Sequence, residues 1–298
     1  MVVFLQQMVN GLSLGAIYAL IALGYTMVYG TLQLINFAHG EVYMMGAFVA
    51  LYLARWMGVV AHPTVPGVLV VALGAMVFCA ALGMAIERLA YRPLRGSTRL
   101  NMLITAIGMS LLLQNVGLQL FGAIDSFPTL LPEAMWDVGG VKLRSNDAIT
   151  LGVTLVLMLG LTYVVERTQI GRAMRAVSHS RETAALMGIP VDRVISVTFA
   201  IGSILAAAAA ILVAMDKHVI KPDMGATYGL KAFVAAVLGG IGSIPGAVAG
   251  GFLLGVSETL VSGYLASTYR DAIAFAILIL VLLVRPSGLL GRHTVEKV

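Results

Sequence analysis

Charged side chains are scarce: Asp, Glu, Lys and Arg together make 11% of the 298 residues. A soluble domain carries about 25%, so there is too little charge to cover a water-exposed surface. That shortage excludes a soluble globular domain, a disordered segment and a nucleic-acid-binding protein. Cysteine is nearly absent. The one thiol, Cys79, lies inside an apolar run, so no intrachain disulfide forms and a secreted disulfide scaffold is excluded. Enzyme and metal signatures are missing too, among them His-Glu-x-x-His and the phosphate loop Gly-x-x-x-x-Gly-Lys-Ser/Thr. The chain has no visible means of using ATP itself. No Lys or Arg precedes the first apolar stretch and no small-residue cleavage site follows it. That favours a retained first span over a signal peptide.

What fills the chain instead is apolar: hydrophobic residues make 59% of it. A transmembrane helix needs about 20 mainly apolar residues, and candidates run over 8–29, 37–56, 66–86, 102–121, 149–165, 194–215 and 271–284. An eighth stretch, 228–263, is too long for one span. Its middle is broken by Gly239-Gly240-Ile241-Gly242-Ser243-Ile244-Pro245-Gly246. The lipid bilayer is therefore the medium of an all-α polytopic membrane protein. It has about eight transmembrane helices, with broken or re-entrant segments near 33–41 and 228–263, and forms a single domain over 1–298.

Basic residues orient the spans, because membrane proteins keep Lys and Arg on the cytoplasmic side. Arg88, Arg92, Arg95 and Arg99 follow the third span. Arg167, Arg172, Arg175, Arg181 and Arg193 follow the fifth, and Arg285, Arg292 and Lys297 end the chain. The segment 123–147 instead holds Asp125, Glu133, Asp137 and Asp147 against Lys142 and Arg144, and reads as external. The net charge of +5 is thus a topology label and does not advertise an anionic ligand. Parity follows. Residues 217–223 are external and the tail is internal, so 228–263 must enter from outside and return outside. Its Gly-rich centre is expected at depth, where irregular backbone survives only when buried in protein or lining a polar cavity. Its glycines are kinks in the backbone; without a lysine they do not make a nucleotide loop.

The second interruption is Gln33-Leu34-Ile35-Asn36-Phe37-Ala38-His39-Gly40-Glu41. Read as a turn between two complete spans, it places the N-terminus outside, although no charge before Glu41 supports that. Gly40–Phe48 and 246–252 both open a small-residue helix after a polar break, a weak internal echo. Ionisable groups inside a span cost about 2.5–3.5 kcal/mol and usually mark a pathway. His39 and Glu41 therefore read as gate or cavity-lining groups, or else as a break near the cytoplasmic interface with Glu41 at a helix N-terminus. The pathway candidates are Asn36, His39, Gly40 and Glu41 in one break and Gly239, Gly240, Gly242 and Ser243 in the other. Lys231, Glu258, Arg270 and Asp271 read as structural groups reaching water at external ends. Glycine is abundant, 33 residues, and pairs such as Gly11/Gly15 and Gly251/Gly255 let helix backbones pack closely.

The cytoplasmic segment 167–193 contains a candidate short helix after Ser180, stopped by Gly188 and Pro190. Ala184, Ala185, Leu186 and Met187 give it an apolar surface, with Arg175, Arg181 and Glu182 at the rim. It reads as a docking knob for another protein or as an interfacial helix on anionic lipid.

Several long motifs resemble one family. Tyr25-Thr-Met-Val-Tyr-Gly30, Leu34-Ile-Asn-Phe-Ala-His-Gly-Glu41 and Ile86-Glu-Arg-Leu-Ala-Tyr-Arg-Pro-Leu-Arg95 are similar to the permease subunits of bacterial ABC importers for branched-chain amino acids. So are Ala184-Ala-Leu-Met-Gly-Ile189, the run from Lys231 to Gly246, and the ending from Leu289 to Val298. The resemblance implies a non-enzymatic subunit of the inner (plasma) membrane that moves Leu, Ile and Val inward. It further implies a homologous second permease, two cytoplasmic ABC ATPases and a periplasmic amino-acid-binding protein. No cofactor is expected on this chain, and ATP would be used by the partner subunits. The ATPase-coupling region would map onto Arg172, Arg175, Glu182, Ala184, Ala185, Leu186, Met187 and Gly188. An ion- or proton-coupled secondary transporter of small amphipathic solutes, with His39 and Glu41 as its ion site, is the competing reading.

Overall fold

The computed structural model describes residues 1–291, so Arg292, Lys297 and the last residues of the terminal motif lie outside the described residues. Eleven α-helices occur in the described chain: α1 (Val2–Leu32), α2 (His39–Trp56), α3 (Val65–Ile86), α4 (Arg99–Phe121), α5 (Ser145–Arg167), α6 (Gln169–His179), α7 (Arg181–Leu186), α8 (Val191–Lys217), α9 (Met224–Gly239), α10 (Ile244–Tyr264) and α11 (Arg270–Val284). Seven are long and apolar enough to cross a membrane: α1, α3, α4, α5, α8, α10 and α11. The 18-residue α2 brings the set to the expected eight or so, and the 16-residue α9 is a shorter apolar helix.

Polar contacts separate the two ends of the bundle. At one end Arg55 forms a two-pronged pair with Asp125 at 2.7 Å, and β1 (Asp125–Ser126) pairs antiparallel with β4 (Val219–Ile220). A hairpin of β2 (Met135–Val138) and β3 (Val141–Arg144) completes that end, and Gln6 in the first turns of α1 bonds the backbone of Lys142. The N-terminus of α1 therefore lies on the face of the acidic external segment. At the opposite end Glu87, in a π turn after α3, is fully buried and accepts from Arg95 and Ser196, while Arg92 and Arg95 both reach Asp192 in the first turn of α8. These are the arginines that the positive-inside pattern places in the cytoplasm.

The centre of the bundle is made of helices with small side chains. α1 and α8 are mostly buried within the chain, whereas α4, α5 and α11 turn most of their apolar surface outward. Ala206 to Ala210 of α8 are all buried, so neighbours close in on every side of that helix. α1 packs most extensively on α10. Along this seam Gly15 faces Phe252, Gly255 faces Gly15 and Gly11, and Gly251 faces Ala19. Lipid supplies little hydrophobic drive between helices, so close backbone approach of this kind is what binds them.

Candidate functional site

The first break begins where α1 ends. Gln33 takes a left-handed conformation (φ 54°) and its N–H caps the carbonyl of Tyr29. The chain then runs back into the bundle instead of turning at the surface. Asn36 is buried and accepts a hydrogen bond from the Tyr91 hydroxyl at 2.7 Å. The ring of His39 fills the notch left by Gly24 on α1, with Nε2 3.2 Å from the Ile21 carbonyl oxygen. Both contacts are internal, so Asn36 and His39 hold the break in place.

Chain lengths give the depth at which α2 starts. From Glu41 to Arg55 are fourteen residues of helix, about 21 Å, and Arg55 marks the external end. The Ser110 hydroxyl donates to Glu41 Oε1 at 3.2 Å. Ser110 is eleven residues from either end of α4, about 17 Å each way. With a hydrocarbon core of about 30 Å, Glu41 lies near its middle. The interface reading of this break is thereby replaced by the deep one.

α9 starts at the same depth, beside α2. Gly40 packs against the backbones of Gly225 and Gly229, where any Cβ would collide. The pair of helices that begin inside the membrane is therefore α2 and α9, and the expected echo between α2 and α10 is not the geometric one. Asp223 and Thr227, at and just after this start, are exposed, as are Ala226 and Leu230.

Glu41 itself is 1% exposed and lines a cavity of about 240 Å³ between α2, α4 and α9. Its Oε2 has no hydrogen-bond partner among the described residues, and no cation there pairs with it. Tyr25, Phe37 and Phe233 form one wall, with Phe233 ring centroids 6.0 Å from both others. Ile107, Leu111 and Leu230 form the mouth.

The second break sits elsewhere. Gly240 lies against Gly288 and Gly291 after α11, and the N–H groups of Leu289 and Leu290 donate to the carbonyls of Leu238 and Gly239 at 2.9 Å. A Cβ on Gly30, near the cytoplasmic end of α1, would come within 3.9 Å of the Gly242 backbone. The Gly-rich centre is thus at the cytoplasmic end, not at depth as expected. The stretch does enter and return, but α9 starts so deep that sixteen residues bring it out at the far face. Ser243 caps α10 by accepting from the Gly246 N–H at 3.2 Å. Gly239, Gly240, Gly242 and Ser243 do not line the Glu41 cavity.

In the cytoplasmic segment Ser180 caps α7 by accepting from the Thr183 N–H at 3.2 Å, and Gly188 (φ 77°) follows its end. Leu186 and Met187 are 87% and 78% exposed, whereas Ala184 faces inward at 4% and is not part of the outer surface. Ala185, Gly188, Arg172, Arg175 and Glu182 are exposed around them. Arg181 donates to the carbonyl of Leu32, the last residue of α1. One side chain therefore links α7 to the first break.

Two arrangements have no precedent in the sequence reading. Ser110, Gly225 and Gly229 complete the surroundings of Glu41, and only the lone hydroxyl in an apolar span and the four-residue glycine spacing hinted at them. Lys231, Glu258, Arg270 and Asp271 do not reach out singly to water. Glu258 is fully buried and accepts from Tyr18 and Lys231 at 3.0 and 3.1 Å, while Lys231 also pairs with Asp271 at 2.6 Å. This cluster ties the middle of α9 to the last turns of α10 and the first turn of α11, and Arg270 also lines a cavity of about 730 Å³ with Gln6, Asn10, Arg144 and Asp216.

Residues 7–282 match the family model described as branched-chain amino acid transport system / permease component. The chain is 49% identical to the high-affinity branched-chain amino acid transport system permease protein LivH of Escherichia coli, over 99% of this chain and 98% of that protein. It is 48% identical to the corresponding BraD protein of Pseudomonas aeruginosa over the same shares. A probable LivH of Methanocaldococcus jannaschii is 29% identical over 91% of this chain and 88% of its own length. With the broken-helix bundle and the cytoplasmic knob already described, these similarities show that the chain belongs to the family of permease components of branched-chain amino acid transport systems.

Proposed function

We propose that leucine, isoleucine and valine cross the inner membrane between this chain and a homologous second permease. In this reading two cytoplasmic ATPases drive the cycle and a periplasmic binding protein delivers the solute. The chain is a non-catalytic, multi-pass subunit of an ABC importer, and ATP belongs to the partner chains.

One observation carries the location of the path. Two helices begin near mid-membrane, and Asp223 and Thr227 are exposed at that level. A polar helix start and a carboxylate cannot face hydrocarbon, so that surface must meet protein or water. A second permease across a water-filled path supplies both. The helix N-termini there favour the carboxylate of a zwitterion.

Leu186 and Met187, rimmed by Arg172, Arg175 and Glu182, are the contact with an ATPase. Motion there is passed through Arg181 and Leu32 to the break that carries Glu41. In proteoliposomes holding the complete assembly, leucine uptake should require ATP and the binding protein. Leu186→Glu with Met187→Glu should abolish co-purification of the ATPases while membrane insertion persists; unchanged co-purification would sink the docking surface. Strong uptake by this chain alone under a proton gradient would replace the whole reading with a coupled carrier.

A further inference from the structure

The Glu41 cavity has an unmet need that the helix packing does not explain. Its carboxylate is 1% exposed, one oxygen is held by Ser110, and the other has no partner among the described residues. A buried oxygen without a donor costs about 1–3 kcal/mol, more when charged. The other buried carboxylates have a cation: Glu87 has Arg95 and Ser196, and Glu258, though its Oε1 is also bare, has Lys231, Arg270 and Tyr18 on Oε2. Glu41 differs in facing open volume. Gly225 leaves the space that Oε2 occupies, since a Cβ there would collide with it. The arrangement therefore keeps room for a donor that comes from outside the chain.

The walls say which donor fits. Tyr25, Phe37 and Phe233 present aromatic rings, which attract a cation over their faces. The mouth is aliphatic, formed by Ile107, Leu111 and Leu230, each about half exposed (46%, 54% and 47%). The volume of about 240 Å³ is below the roughly 300–1,000 Å³ of pockets for drug-sized ligands. A small solute with an ammonium group and a branched hydrocarbon tail matches all three features.

We infer that the cavity between α2, α4 and α9 receives the α-ammonium group of the travelling amino acid, with Glu41 as its counter-charge and the aromatic wall around it. The site rests on the transport reading above and adds the group of the solute that this chain recognises. Ser110 orients Glu41 by occupying Oε1, and Gly225 leaves room for Oε2 beside α9. Selection among aliphatic side chains is left to contacts at the rim.

The test uses the complete assembly in proteoliposomes. Glu41→Gln keeps the shape and the Ser110 contact but removes the charge. Leucine uptake should fall about tenfold or more, with ATPase stimulation by the loaded binding protein retained, and Glu41→Asp should recover part of it. A second variant reads the charge directly. Leu230→Cys places a thiol at the mouth, and the native Cys79 is buried. A cationic methanethiosulfonate reagent should modify it about tenfold faster than an anionic one. Adding Glu41→Gln should erase that preference, and leucine with the binding protein and ATP should slow the reaction. Equal rates for the two reagents, or normal uptake by Glu41→Gln, would overturn the site while wild-type ATP-driven uptake leaves the transport reading standing. Absence of ATP-driven uptake in the wild type would instead remove the reading on which the site rests.

Discussion

The segment that leads into α2 runs back to mid-membrane, whereas the turn between α9 and α10 stays at the cytoplasmic face. Both are Gly-containing polar breaks, yet their surroundings differ. The first is held by side chains, Asn36 on Tyr91 and His39 in the notch of Gly24, in addition to the Gly40 backbone contact, and it ends on a carboxylate facing a cavity. The second is held by backbone, with the carbonyls of Leu238 and Gly239 capped by the segment after α11. A break fixed by side chains can shift when one contact changes. A break fixed by backbone-to-backbone packing is a closure.

That contrast can be broken at several points. Gly239→Leu should have the largest effect, because a Cβ there would overlap the backbone of Gly246; no folded protein should be recovered by size-exclusion chromatography in detergent. Folded, monodisperse Gly239→Leu would show that the turn is not tightly closed. At the first break, Tyr91→Phe removes the donor to Asn36 and should cost about 1–3 kcal/mol, read as a lower Tm with uptake altered as well. An unchanged Tm would mean the side-chain anchor is idle. Gly242 has a positive φ of 95° but open space around it. Gly242→Ala should therefore cost only about 1–2 kcal/mol, separating conformational strain from the overlap at Gly239.

The smallest effect should lie outside the membrane. Arg55 hydrogen-bonds Asp125 and holds its carboxyl below the usual carboxylate range. A depressed folded pKa adds stability above the unfolded value and loses it as pH falls through the folded one. Arg55→Ala should thus cost at most about 1 kcal/mol of stability at neutral pH for so exposed a pair, read as a slightly lower Tm. The difference should vanish in acid. A difference that grew on acidification would reverse the assignment.

The helices, their order and the cytoplasmic knob were legible because lipid imposes simple demands: long apolar runs, arginines on one side, and caps such as Ser180 before Gly188. Glu41 was legible as a group too costly to be idle. Its neighbours were not, since Ser110 and Gly225 are ordinary residues until two distant segments meet. The depth of the second break was misread for a related reason. Composition places a Gly-rich run between two apolar stretches, but only the deep start of α9 shows where a sixteen-residue helix must emerge.

By itself the sequence determined that this is a polytopic helical membrane protein, how its arginines are distributed between the two ends, and which segment carries the short exposed helix after Ser180. Those follow from local composition, because burying apolar side chains and keeping arginine in the cytoplasm are properties of each segment alone. Tertiary structure decided which break reaches mid-membrane, that Lys231, Glu258, Arg270 and Asp271 form one cluster, and that Glu41 lines a cavity with one oxygen unpartnered among the described residues. Those depend on pairings between residues up to about two hundred positions apart. The distance at which helix backbones meet is set by small side chains such as Gly40 and Gly225, and that close approach is what creates the site.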